Sequence, residues 1–247
     1  MGFPDSPASR RKGGMNVIIT GASRGFGKSV AERFAENGHN IYLCSSNEVA
    51  LYKTMEELMT KYPGITIKAK AFDLSDKNNS KALGYWLLNL VPSIDVLINN
   101  AGQFIPGSVY NEEDGALEKM IEINLYSAYH LTRILLPKMM EQKSGHIFNI
   151  CSIASLQAYK NGGAYSISKF ALSGFSKNLR EEMKPYGIKV TAVYSGAAYT
   201  DSWAGSGIDP GRIMEAKDVT DMIYAASLLS PQACVEDIIL RPQLGDL

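Results

Sequence analysis

The sequence predicts one doubly wound α/β domain: a parallel sheet with helices covering both faces. Three observations predict it. From Met15 onward, short and nearly continuous apolar runs alternate with longer helix-patterned stretches. A glycine-rich turn follows the first run directly, and no linker, composition break or internal repeat divides the 247 residues.

The strand candidates are residues 16–20, 41–45, 65–71, 96–98, 146–151, 189–193 and 235–240. Most are nearly continuous apolar runs, as suits parallel strands covered on both faces. Helices are expected near 28–37, 48–62, 77–90, 114–142, 163–184 and 218–230. Each strand–helix–strand unit should cross over with the same right hand, which winds the sheet both ways from its first strand. Residues 1–14 are rich in Gly, Pro, Ser and charge, so a disordered arm or cloning remnant is expected ahead of a domain spanning 15–247.

Composition excludes several classes of function. The 25 basic and 25 acidic side chains cancel, so no general attraction to nucleic acid or anionic membrane is expected. No apolar run approaches the roughly 18 residues needed to span a bilayer. The apolar stretch after Arg10-Arg11-Lys12 is too short for a signal peptide, and a cytoplasmic protein is expected. Met1-Gly2-Phe3-Pro4-Asp5-Ser6 fits the loose myristoylation pattern, but nothing polybasic follows immediately. Cys44, Cys151 and Cys234 form no CxxC pair and are expected as inert core residues. His39, His130 and His146 lack ligand spacing, so no metal site is expected.

The turn after the first strand reads Thr20-Gly21-Ala22-Ser23-Arg24-Gly25-Phe26-Gly27. Glycines let a backbone approach a pyrophosphate, and the following helix start offers free N–H groups and partial positive charge. The spacing Gly-x-x-x-Gly-x-Gly resembles the cofactor loop of the short-chain dehydrogenase/reductase family, which has a Rossmann-type fold. Asn99-Asn100-Ala101-Gly102 after the fourth strand is similar to a second mark of that family, and Asp73-Leu74 to its acidic–apolar pair beside adenine. The resemblance implies a nicotinamide dinucleotide held by Gly21, Ser23, Arg24, Gly25, Phe26 and Gly27, with Asn100, Ala101 and Gly102 on the adenine-ribose side. Taken alone, Asp73 reads equally well as a helix cap. The second strand ends in Ser45-Ser46 instead of a carboxylate, and Arg24 can pair a 2′-phosphate, so NADP(H) is the expected cofactor.

Tyr165 is the only tyrosine with a lysine four residues on, Lys169. In a helix that spacing stacks both side chains on one face. A free phenol titrates near pKa ~10, and a neighbouring ammonium favours its phenolate, which suits proton exchange at neutral pH. Ser152 stands thirteen positions before Tyr165, and Asn124 precedes both. In that order they resemble the family's Asn-Ser-Tyr-Lys tetrad. The resemblance implies Tyr165 as general acid or base and Lys169 on the nicotinamide ribose. It implies Ser152 as donor to the substrate oxygen and Asn124 as holder of a relay water.

After the sixth strand the family usually reads Pro-Gly, whereas this chain has Ser195-Gly196-Ala197-Ala198-Tyr199-Thr200. Gly196, Ala198 and Thr200 are expected at the nicotinamide, with the missing proline loosening the turn. Residues 199–214 stand where the family carries its substrate lid, and Trp203 could stack on a flat substrate. Trp203, with the ending Arg241-Pro242 and Gly245-Asp246, resembles small bacterial sepiapterin reductases within the family. That implies a pterin side-chain ketone or other vicinal dicarbonyl as substrate. The rivals are a 3-oxoacyl thioester reductase and a cofactor-binding regulator without turnover. Family practice also implies a homodimer or homotetramer paired through the two long helices.

Overall fold

The computed structural model describes residues 14–200 and 207–246. The rest of the expected N-terminal arm, Trp203 and part of the lid region lie outside the described residues. Seven strands form one sheet: β1 (Asn16–Thr20), β2 (Asn40–Ser45), β3 (Ile67–Ala71), β4 (Val96–Asn99), β5 (Gly145–Ile150), β6 (Ile188–Ser195) and β9 (Asp237–Leu240). Their order is β3-β2-β1-β4-β5-β6-β9, with every neighbouring pair parallel. A separate two-strand parallel ribbon, β7 (Ala198–Tyr199) with β8 (Met214–Glu215), was not foreseen because two residues carry no periodicity.

Strand alternation divides the core in two. Val17, Ile19, Ile41, Leu43, Val96 and Ile98 face one side. There they meet Phe34 of α1 (Gly25–Glu36), Leu51 and Leu58 of α2 (Glu48–Lys61), and Ile223 of α7 (Ala216–Ser227). Ile18, Leu97, Ile147 and Val190 face the other side. They pack on α3 (Lys77–Leu90), α5 (Ser127–Gln142) and α6 (Gly163–Met183) through Leu83, Leu135 and Leu179. Period-two side chains on a sheet buried on both faces require this division.

Two expectations need correction. The helix expected over 114–142 runs continuously from Ala116 to Gln142 but is not α-helical throughout: α4 (Ala116–Ile121) passes into a π turn at Glu122–Tyr126 before α5 begins. The apolar pattern runs on through the junction, so periodicity could not show the extra residue that a π turn inserts. Of the three cysteines, Cys44 and Cys151 are buried and burial pushes their thiols up to about 12 and about 11. Cys234 is exposed instead, because it precedes β9 rather than lying in it.

No helix among the described residues is long and apolar enough to cross a membrane, and no cluster of His, Cys, Asp and Glu there could hold a metal.

Candidate active site

The turns after β1 and β4 are knitted together at the point where the sheet order reverses. Gly21 and Gly25 have φ of 64° and 56°, the left-handed region that glycine adopts without cost. A Cβ on Gly27 would lie 2.3 Å from the Gly21 carbonyl oxygen, so the loop and the start of α1 approach too closely for any side chain. Asn100 Nδ2 donates to the carbonyls of Thr20 and Gly21 at 3.0 and 3.1 Å. Thr20 Oγ1 accepts the backbone N–H groups of Asn100 and Ala101 at 3.0 and 2.9 Å. Arg24 is the N-cap of α1, yet no side chain caps that helix start. Its first N–H groups and the dipole behind them are left for an anion.

Around this cradle, Ser23 Oγ lies 2.9 Å from Ser45 Oγ, and Ser46 is exposed. Arg24 is exposed and pairs with no carboxylate among the described residues. Asp73 caps no helix: its Oδ1 accepts the Ser75 N–H and hydroxyl at 3.0 and 2.8 Å, while Asp76 caps α3. Leu74 places its side chain in the core.

The four tetrad residues gather at the carboxyl ends of β4 and β5. Lys169 is buried, and its Nζ donates to the Ile150 carbonyl at 2.8 Å and stands 5.8 Å from the Tyr165 ring centre. Among the described residues no carboxylate neutralises it. A Cβ on Gly102 would lie 2.9 Å from Asn124 Oδ1 and 3.5 Å from Lys169 Nζ, so both border one small space. Asn124 sits in the π turn, wholly buried. Its Oδ1 accepts the Gln103 N–H at 2.8 Å; its Nδ2 donates to the Gln103 carbonyl at 3.0 Å and to Ser168 Oγ at 2.9 Å. That side chain is already engaged, and it locks the loop after β4 to α6. Ser152 caps a single 3-10 turn, its Oγ accepting the Ala154 N–H at 3.1 Å. The hydroxyl proton is therefore still available to donate.

The turn after β6 gains from the C-terminus the restraint that the missing proline would have given. Gly196 N donates to Leu240 O at 2.8 Å, and a Cβ there would lie 3.0 Å from both Asp246 Oδ1 and Pro242 Cδ. Ala198 is buried, and Thr200 lies across from the glycine loop, its Cβ 3.7 Å from where a Gly25 Cβ would stand.

Three nearby residues escaped the sequence reading. Phe104 sets its ring edge-on to Tyr165, centroids 4.9 Å apart at 75°. Tyr159, on the loop before α6, is close enough for Tyr165 to help raise its phenol. Glu112 accepts the Ala164 N–H with both carboxylate oxygens at 3.0 Å, capping α6 from another loop. Only their approach in space reveals them; a carboxylate far upstream of a helix start carries no periodic signal.

The short chain dehydrogenase family matches residues 15–209. The chain belongs to that family. It is 30% identical over 222 residues to a 3alpha-hydroxysteroid dehydrogenase of Mediterraneibacter gnavus, covering 85% of this chain and 89% of that one. Among solved structures, a metagenomic short-chain oxidoreductase in complex with NADP superposes with a TM-score of 0.79 at 27% identity, over 93% of this chain and 97% of that one. A short-chain dehydrogenase from Sphingobium yanoikuyae in complex with NADPH gives 0.77 at 29%, over 86% and 84%. The glycine cradle and the four gathered side chains are thus seen here in a short-chain dehydrogenase.

Proposed function

We propose that this short-chain dehydrogenase is an NADP(H)-dependent oxidoreductase that reduces a carbonyl or, in reverse, oxidises an alcohol. One observation carries the reading: the buried Lys169 side chain, which pairs with no carboxylate among the described residues, stands beside Tyr165 and borders the space at Gly102. The two similar proteins solved with NADP and NADPH support the same cofactor here.

The residues fit such a dinucleotide. Gly21 and Gly27 let the loop close on the Asn100 turn and on the start of α1, and that uncapped helix start, with Ser23, Gly25 and Phe26, would hold a pyrophosphate. Arg24, with Ser45 and Ser46, would suit a 2′-phosphate, and Asp73, Leu74, Asn100 and Ala101 would hold the adenosine side. Gly196, Ala198 and Thr200 would hold the nicotinamide. When bound, the cofactor supplies or accepts the hydride.

The chain's own groups handle the proton and the charge. Tyr165 gives its phenol proton to the nascent alkoxide. Lys169 stabilises the phenolate left behind and holds the nicotinamide ribose. Ser152 donates the proton that its capping role leaves available to the substrate oxygen. Asn124 fixes the geometry of Gln103 and α6 and, in this reading, would hold a water that connects Lys169 to solvent.

Within this reading we favour a planar dicarbonyl of the pterin side-chain type. The support is the ending that resembles sepiapterin reductases: Arg241 pairs with Asp246 at 3.2 Å, and that segment packs on the Gly196 turn. Assembly into a homodimer or homotetramer is part of the proposal, supported by exposed Leu117, Tyr126, Ile167 and Phe170 on the helices expected to pair. The test is loss of NADPH absorbance by purified protein against dicarbonyls, a steroid ketone and a 3-oxoacyl thioester. Turnover of a carbonyl with NADPH is expected, and preference for the thioester would overturn the planar-substrate reading.

A further inference from the structure

We infer that Phe104 and Tyr159 form a preset aromatic wall beside Tyr165, and that the substrate carries an uncharged ring next to its reacting carbonyl. The inference rests on the carbonyl-reductase reading above and narrows its substrate class. Phe104 is 51% exposed although its ring touches Tyr165, and Tyr159 is 44% exposed. Apolar rings left open to water beside a proton donor mark a ligand wall, since nothing in the fold gains from their exposure. Burial, then the nearness of Tyr165, pushes the Tyr159 phenol up to about 12, so it stays neutral at physiological pH. Ile105 and Leu156, each 39% exposed, extend the apolar surface along the same two loops.

The wall is built before any substrate arrives. Gln103, next to Phe104, is held at both its N–H and its carbonyl by Asn124. Gly107 N donates to Asn161 O at 3.2 Å, and Ser108 Oγ to Asn161 Oδ1 at 2.8 Å, tying the loop after β4 to the one before α6. Glu112 closes the same junction on Ala164. A Cβ on Gly162 would lie 3.2 Å from Tyr159 Cε1, which places that ring against the start of α6. Rings fixed in this way select by shape, because a flat or alicyclic substrate meets them without reordering either loop.

The test measures kcat/KM for an aryl ketone, an alicyclic ketone of similar size and a short acyclic ketone, with saturating NADPH. The unmodified enzyme should favour the ring ketones by about tenfold or more. Phe104→Ala should lose about fivefold or more on both ring ketones and less than about twofold on the acyclic one, with Phe104→Leu between. A second readout needs no turnover: with NADPH bound, the aryl alcohol product should bind about fivefold more weakly to Phe104→Ala. Equal losses on all three ketones, or no ring preference in the unmodified enzyme, would overturn the inference. Failure of the parent reading looks different: NADPH binds but no carbonyl consumes it. The aryl alcohol titration then still decides for or against the wall.

Discussion

Arg24 combines two tasks at one position. Its backbone caps α1 in an extended conformation, while its side chain is exposed. A phosphate there would gain a charge-assisted partner and meet no carboxylate. Arg24→Ala should therefore weaken NADPH binding by about 1–3 kcal/mol and barely change NADH, read by fluorescence titration of both nucleotides. Tighter binding of NADH by the unmodified protein would end the NADP(H) assignment. The tetrad was legible because its order and its Tyr-x-x-x-Lys spacing lie along the chain. Phe104 was not, because its value comes from a 4.9 Å contact with a ring sixty-one positions later. Trp203, the aromatic residue that the sequence put forward, lies outside the described residues.

Among the elements, α6 carries both Tyr165 and Lys169, so its first turn sets where the proton donor stands. Its N-cap, Gly162, offers no side chain, and Glu112 supplies the missing acceptor from the loop after β4. A carboxylate there also faces the positive end of a 21-residue helix. Glu112→Ala should cost about 0.5–2 kcal/mol in denaturant unfolding, and Glu112→Gln should restore most of it by keeping one acceptor. The alanine variant should also lose kcat several-fold, since Tyr165 stands in the turn that the cap holds. Full stability in Glu112→Ala would show that the two loops hold without it. The seven sheet strands were legible, most of them as nearly continuous apolar runs, and six helices as periodic stretches. The π turn at Glu122–Tyr126 was hidden because one inserted residue barely disturbs the apolar pattern, although it buries Asn124.

Across the whole molecule, two buried histidines make stability depend on pH. His39 Nδ1 accepts the Met15 N–H at 3.0 Å, and His146 Nε2 bonds Thr191 Oγ1 at 2.7 Å while its ring stacks on Phe148. Burial lowers His39 to about 4 and His146 to about 3, against an ordinary 6.5. Below 6.5 the unfolded chain takes up protons that the native imidazoles refuse. Stability is therefore full above that value and falls as pH drops toward 4 and 3. At about pH 5 each histidine should cost on the order of 2 kcal/mol. Urea melts at about pH 7 and pH 5 should show this loss, and His146→Gln should remove about half of the difference, leaving the His39 share. An unchanged difference in that variant would place the acid sensitivity elsewhere. The sheet brings the glycine loop, the Asn100 turn, Ser152 and Gly196 to the carboxyl ends of four adjacent strands, where the order reverses, and so turns scattered motifs into one cleft. The most direct test of that cleft's chemistry is single-turnover NADPH oxidation by the unmodified protein and by Tyr165→Phe, with NADPH affinity measured on both. The account predicts equal NADPH binding, with the rate in Tyr165→Phe cut to under about a hundredth, because only the proton donor is gone. A variant that kept more than about a tenth of the rate would place the acid in another residue and contradict the account.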